Sequence, residues 1–123
     1  MRRWNGWGDT AVDYPMPEGA AAFLEHLLGR GASSVDAEME AVVKQLPSSR
    51  LKPLKGLSTD PIDRLLHTHG QSLPDWIALR SGQIGRSPDG VAYPEETEQV
   101  REILDFTRRK GIQVIPYGGG TSV

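Results

Sequence analysis

Apolar residues at helical spacing dominate the first half of the chain. One such series runs from about residue 18 to Leu28 and stops at Gly29. A second series runs from Val35 to Leu46, directly before Pro47. Because residues three and four apart share one face of a helix, both series predict amphipathic helices.

Capping residues and helix-breaking residues predict where helices begin and end in the middle of the chain. Thr59 or Asp60 precedes Pro61, which is favoured as a first helical residue, so a short helix is predicted to start there and to end near His69. Residues 73–77 contain a proline in the second position, and we expect them to be extended or at most one helical turn.

The pattern changes after the loop predicted for residues 82–90. A short strand is predicted at residues 91–94, an amphipathic helix at residues 97–110 with Gly111 as its stop, and a buried strand at residues 112–115. The short links favour a right-handed parallel crossover between the two strands.

The predicted fold class is therefore α+β, with a helical N-terminal region over residues 1–88 and the start of a second domain at residues 89–123. The chain has 123 residues and a net charge of −2, and its sequence contains no basic stripe of the kind that binds nucleic acid. The absence of cysteine excludes disulfides and thiolate metal sites. No apolar run reaches the ~18 residues of a membrane span, so we expect a cytoplasmic protein without a secretory signal.

The most informative segment follows the second predicted strand. Three consecutive glycines let the backbone approach a ligand closely, and their successive amides can form an anion-binding concavity to which two hydroxyls add donors. The segment lacks the lysine of a Walker loop and the spacing of a Rossmann fingerprint. The candidate cofactor-binding residues are Pro116, Tyr117, Gly118, Gly119, Gly120, Thr121 and Ser122.

Two other interpretations of this segment stay open from the residues alone. A glycine-rich turn needs no ligand at all. The last three residues, from Thr121 to Val123, also resemble a C-terminal peptide that adds a strand to a partner domain.

The remaining polar residues favour structural roles, and the sequence predicts no catalytic and no metal-ligating residue. His67 and His69 are two positions apart, so on a helix they point to different faces and we expect ordinary hydrogen bonds. Asp60, Asp63 and Arg64 have the spacing of a helical ion pair. His26 is expected to border a helix–helix contact. Arg80 and Arg86 are expected to be solvated loop arginines, with a phosphate contact as the alternative.

Two separate stretches carry a family resemblance. The segments V-A-Y-P at residues 91–94, G-I-Q-V-I-P at residues 111–116 and G-G-G-T-S-V at residues 118–123 resemble the opening of the FAD-binding domain of vanillyl-alcohol-oxidase (PCMH) type flavoproteins. R-W-N-G-W-G at residues 3–8 and L-S-T-D at residues 57–60, followed by D-R-L and H-G, resemble alkyldihydroxyacetonephosphate synthase (alkylglycerone-phosphate synthase) and its bacterial FAD-linked oxidase relatives.

This resemblance implies FAD as cofactor, with the glycine-rich segment around its pyrophosphate. It implies a longer flavoenzyme of ether-lipid synthesis that exchanges the fatty acid of acyl-dihydroxyacetone phosphate for a fatty alcohol, with its catalytic residues and small-molecule substrate site beyond Val123. A FAD-dependent 2-hydroxy-acid oxidase or dehydrogenase, of lactate or glycolate type, is the alternative enzyme, and a small helical interaction module is the non-enzyme alternative.

Three physical expectations accompany the resemblance. The aromatic segment with Trp4, Asn5, Trp7 and Gly8 is expected to dock on the main body through its two indoles. The isolated chain is expected to be colourless on purification, and a longer version yellow. Because the predicted sheet lacks neighbours, its open edges favour self-association into a homo-oligomer.

Overall fold

The computed structural model describes residues 2–32, 34–52 and 54–121. It contains five helices and two short strands within these ranges. In chain order they are α1 (Ala20–Leu28), α2 (Met39–Gln45), β1 (Leu57–Ser58), α3 (Pro61–Leu66), α4 (Leu73–Ser81), β2 (Val91–Ala92) and α5 (Thr97–Lys110). The predicted α+β class is confirmed.

The hydrophobic core lies between α2, α3, α4 and the loop after α4. One apolar side chain from each is almost completely buried, namely Val42, Leu65, Leu79 and Ile84. Trp4 from the N-terminus and Met39 from α2 pack against this cluster and are partly buried. Side chains from α2, α3 and the α4 segment with its following loop therefore share one core.

Helix α3 also buries a charged residue at the centre of the fold. Arg64 is 2% exposed. Its guanidinium donates to Pro88 O at 2.7 Å, to Pro47 O at 2.9 Å and to Ser87 Oγ at 3.2 Å. The ion pair predicted for this helix is therefore wrong, because Asp60 instead accepts from two backbone amides as the N-cap.

The prediction for residues 73–77 is wrong, because they begin the regular helix α4. Ser72 and Asp75 form a reciprocal capping box, in which Asp75 accepts from the Ser72 amide at 3.1 Å and from its hydroxyl at 2.6 Å. Pro74 lies in the first turn, where a missing N–H costs no intrahelical bond. Pro74, from which the sequence predicted an extended segment, instead lies in the first turn of the helix α4.

The predicted strand at residues 91–94 is confirmed at its first two residues, but its partner differs from the expected one. Val91 and Ala92 pair antiparallel with Ser58 and Leu57 of β1. Residues 112–115 form no strand, so the predicted parallel crossover is wrong for the described chain. A strand needs a neighbouring strand to pair with, and residues 112–115 pair with no strand among the described residues.

Helix α5 has the predicted bounds, and Gly111 ends it in the left-handed conformation with φ of 64°. α1 also lies within its predicted range, whereas α2 is shorter than predicted and starts at Met39. Neither α1 nor α5 has a fully buried residue. His26 is exposed on α1, so the helix contact expected for it is absent from the described part of the chain.

Residues 2–12, which we call the N-terminal arm, fold back on themselves and onto the core. Arg3 donates to Gly8 O from its amide and to Val12 O from its guanidinium. Trp4 packs on the core, as expected, but Trp7 remains 64% exposed. One indole, not two, therefore docks the arm.

Candidate cofactor site

The glycine-rich segment, called the glycine loop (described over residues 116–121), follows α5 and residues 112–115 on the surface. Pro116, Gly118, Gly119 and Thr121 are exposed, and Tyr117 is partly buried. The structure thus places these candidate residues in one accessible turn. The predicted site residue Ser122 lies outside the described residues.

The three glycines of the loop differ in whether the described structure requires glycine at their position. Gly120 has φ of +68°, and a Cβ there would collide with the Tyr117 hydroxyl, so the turn itself demands glycine. A Cβ added at Gly118 would meet no atom within 4 Å, and at Gly119 the nearest atom would be Thr121 Cγ2 at 3.6 Å. Neither has a positive φ. The described chain therefore offers no internal reason for glycine at positions 118 and 119.

Tyr117 fastens the loop to the helical body. Its ring packs edge-on against His67 with centroids 4.7 Å apart. Its hydroxyl lies 3.3 Å from His69 O and 3.4 Å from Leu66 O, and it accepts from Arg2 Nη2 at 3.1 Å. The structure thus gives Tyr117 the role of an anchor between α3 and the arm.

A second tyrosine reaches the other side of the same histidine. The Tyr93 hydroxyl donates to Asp63 Oδ1 at 2.5 Å and lies 3.4 Å from His67 Nε2. Desolvation, followed by this hydrogen bond to a carboxylate, raises the pKa of Tyr93 to about 12. Tyr93 therefore stays protonated at neutral pH and serves as a donor.

The two histidines make hydrogen bonds, as expected from the sequence. His67 Nδ1 lies 2.7 Å from Asp63 O. His69 lies between Asp75 Oδ1 at 3.1 Å and Ile84 O at 2.8 Å, which joins the start of α4 to the core loop. Over residues 2–32, 34–52 and 54–121, no group of three or more histidine or carboxylate side chains is arranged to hold a metal ion.

Residues of the N-terminal arm and Gly119 of the glycine loop line a surface cleft of ≈ 280 Å³. The lining residues are Arg2, Gly6, Trp7, Gly8, Gln71 and Gly119. A guanidinium, an exposed indole and glycine backbone thus meet at one opening.

Arg80 and Arg86, expected from the sequence as solvated loop arginines, are exposed and lie away from the glycine loop. Arg80 is in α4 and pairs with Asp36 at 2.8 Å, and Arg86 is exposed in the loop before β2. Neither lines the cleft. The cation that does reach the glycine loop is Arg2, which sequence reasoning missed because its contact with Tyr117 spans 115 positions.

Similar proteins agree with the resemblance seen in the sequence. Alkyldihydroxyacetonephosphate synthase of Trypanosoma brucei brucei is 27% identical and that of Caenorhabditis elegans 33% identical, each over 98% of this chain. D-lactate dehydrogenase [cytochrome] of Arabidopsis thaliana mitochondria is 29% identical over 76% of this chain and 16% of its own length. No protein-family model matches the chain.

The chain belongs to the family of FAD-linked enzymes that includes alkyldihydroxyacetonephosphate synthase. It spans 25% of the length of the trypanosome and nematode relatives. A solved structure of alkyldihydroxyacetonephosphate synthase superposes with a TM-score of 0.76 at 24% identity, over 99% of this chain and 28% of that one, which shows a shared fold. No helix among the described residues is long and apolar enough to cross a membrane.

Proposed function

We propose that this chain forms the N-terminal part of a FAD-dependent enzyme of the alkylglycerone-phosphate synthase type. In this proposal residues 1–88 are the helical region and residues 89–123 begin the FAD-binding domain. The glycine loop, from Pro116 to Ser122, holds the pyrophosphate of FAD. The family supports the cofactor, and the exposure of the loop supports the site.

The observation that carries the site is the unexplained glycine at positions 118 and 119. Both residues are exposed, and their amides make no hydrogen bond to the described residues. A residue without a Cβ at such a position lets a ligand reach the backbone N–H groups. Several amide donors together hold an anion well, because bonds to charged acceptors are stronger than neutral ones.

The chain's own residues explain how the loop is positioned. Tyr117 is held by α3 and by the arm, and Gly120 lets the backbone turn directly after it. Bound FAD would supply the reactive isoalloxazine ring. In this proposal the loop residues bind and orient the diphosphate of FAD. The identity of the substrate, the reacting side chains and the cytoplasmic location stay predictions.

A 2-hydroxy-acid dehydrogenase is the second candidate, because the plant D-lactate dehydrogenase aligns with 76% of the chain. Diphosphate binding by the glycine loop serves either chemistry equally. The two candidates differ in what a FAD-loaded longer protein does: reduction of the flavin by a 2-hydroxy acid supports the dehydrogenase, and exchange of acyl for alkyl groups without net reduction supports the synthase.

The cofactor proposal is tested by titrating the isotope-labelled chain with FAD and following backbone amide signals by NMR. We expect saturable shifts for residues 118–121, even though we also expect the chain to be colourless on purification. Gly118→Asp, which adds a carboxylate in open space, should weaken FAD binding at least tenfold. Gly31→Asp is the matched control, because Gly31 is also exposed with no neighbour within 4 Å. No saturable shift of the loop amides at millimolar FAD would overturn the proposal.

A further inference from the structure

The N-terminal arm and the glycine loop face each other across the cleft, and the arm carries chemistry that the proposed function does not use. Arg2 brings a permanent positive charge within 3.1 Å of the Tyr117 hydroxyl. Trp7 lines the same cleft and is 64% exposed. An indole of this size left in solvent lacks the packing that usually holds it.

We propose that the arm forms the second wall of the diphosphate site, with Arg2 pairing with the diphosphate and Trp7 stacking on an attached aromatic ring. The ligand class is a nucleoside diphosphate, either free or as one half of a dinucleotide. This inference rests on the proposed function, because it takes the glycine loop as the first wall.

The charge and donor pattern of the cleft suits an anion. A guanidinium offers a planar fork of donors that matches phosphate oxygens. Gln71 lies at the cleft, and its side-chain oxygen accepts from Trp76 Nε1 at 2.8 Å. That bond directs the amide N–H groups of Gln71 away from Trp76 and leaves them available as further donors.

The backbone on the arm side is as open as that of the loop. Gly8 has φ of +84° and no atom within 4 Å of the position a Cβ would take, and Gly6 has Arg3 Cδ at 3.9 Å as its nearest atom. Glycine therefore lines both walls. In this inference a ligand in the cleft contacts backbone of both segments and the Trp7 ring.

The size of the cleft is compatible with a diphosphate and one attached ring. Its volume of ≈ 280 Å³ lies just below the roughly 300–1,000 Å³ of whole small-molecule sites. The flavin half of FAD would extend beyond these residues.

The test uses the 123-residue chain, with ADP and inorganic pyrophosphate as separate probes, and follows the Trp7 indole N–H and the amides of residues 118–121 by NMR. Arg2→Ala should weaken binding of both probes about fivefold or more, since a charge-assisted contact is lost. Trp7→Ala should weaken ADP about threefold or more and leave pyrophosphate unchanged, since only stacking is lost. Trp7→Phe should restore most of the ADP affinity.

Two controls separate direct contact from an effect on folding or loop position. Tyr117→Phe removes the hydroxyl group that accepts from Arg2 but leaves the positive charge of Arg2 in place. The affinity for pyrophosphate should therefore persist if Arg2 binds the anion itself. Arg86→Ala removes an exposed arginine that does not line the cleft and should change neither affinity.

Each outcome decides between the two proposals. If loop amides shift with either probe while Arg2→Ala and Trp7→Ala bind normally, the arm inference is overturned and the glycine loop remains the diphosphate site. If Tyr117→Phe reproduces the loss seen in Arg2→Ala, Arg2 acts by holding the loop and the inference is also overturned. If neither loop nor arm responds to any probe, both proposals fail.

Discussion

The region from α2 to α4 and the helix α5 differ in how completely their side chains are buried. Three short helices, none longer than nine residues, bury Val42, Leu65 and Leu79 against one another. The helix α5, with 14 residues, is the longest one described and has no fully buried residue. Helix length and regularity are therefore no guide to which side chains are buried here. Burial follows the number of different segments that meet at a side chain.

The difference extends to polar residues. In the α2–α4 region, Arg64 is buried and satisfied by three oxygen acceptors. On α5, Arg101 pairs with Glu98 at 2.8 Å with both side chains about two-thirds exposed, an arrangement that contributes little. Variants in the two regions break or sharpen this comparison.

Arg64→Ala is expected to be the most damaging single change. It leaves two backbone carbonyls without their donor and opens a cavity, so unfolding free energy should fall by about 3–5 kcal/mol. Urea denaturation followed by circular dichroism measures the loss. Arg101→Ala on α5 is the matched control and should cost less than about 1 kcal/mol. Equal losses would contradict the contrast between the two regions.

Leu65→Ala compared with Leu104→Ala tests the same contrast for apolar side chains. Leu65 is 1% exposed and Leu104 52% exposed. Truncating the first should cost about 2–4 kcal/mol, because a buried cavity remains, whereas truncating the second should cost under about 1 kcal/mol. Thermal denaturation of both variants measures the two losses of unfolding free energy. A Leu104 loss as large as that of Leu65 would show that α5 is buried in solution.

Gly82→Ala and Gly111→Ala compare two helix ends with the same backbone requirement. Both glycines end a helix with positive φ, at 73° and 64°. At Gly82 a Cβ would also lie 2.9 Å from Ala37 Cβ, whereas at Gly111 the space is open. We expect a loss of about 2–3 kcal/mol at Gly82 and about 1 kcal/mol at Gly111. Equal chemical-denaturation midpoints for the two variants would refute the packing part of this explanation.

Asp75→Asn should have a modest effect and the clearest pH dependence. The hydrogen bond from the Ser72 hydroxyl holds the pKa of Asp75 below its ordinary value of 3.8 in the folded chain. A lowered folded pKa stabilises the fold above the unfolded pKa, and this contribution disappears as pH falls through the folded pKa.

The loss at pH 7 in Asp75→Asn should be about 1 kcal/mol, as for other helix caps. Melting temperatures recorded from neutral pH down to strongly acidic pH should then fall less steeply for the variant than for the unmodified chain. Asp105→Asn on the exposed side of α5 serves as control. Parallel melting curves for Asp75→Asn and the unmodified chain would remove the assigned role of this carboxylate.

The candidate site shows the same division between local and distant information. The glycine loop and its residue types could be recognised from sequence, because a run of glycines is a local signal. The arm that faces it could not, because nothing in R-W-N-G-W-G indicates where that segment docks. Likewise the rings of His67 and Tyr117 meet although they are far apart in sequence and no periodicity links them.

By itself the sequence determined the features that depend on neighbours within four residues. These are the bounds of α5, the start of α3 at Pro61 and the stop at Gly111, all set by local hydrogen bonds and φ preferences. Only the tertiary structure decided that Arg64 is buried, that β2 pairs with β1, and that Arg2 reaches Tyr117. Those contacts require long loops to close, and the free energy that closes them comes from the shared core and not from any one segment.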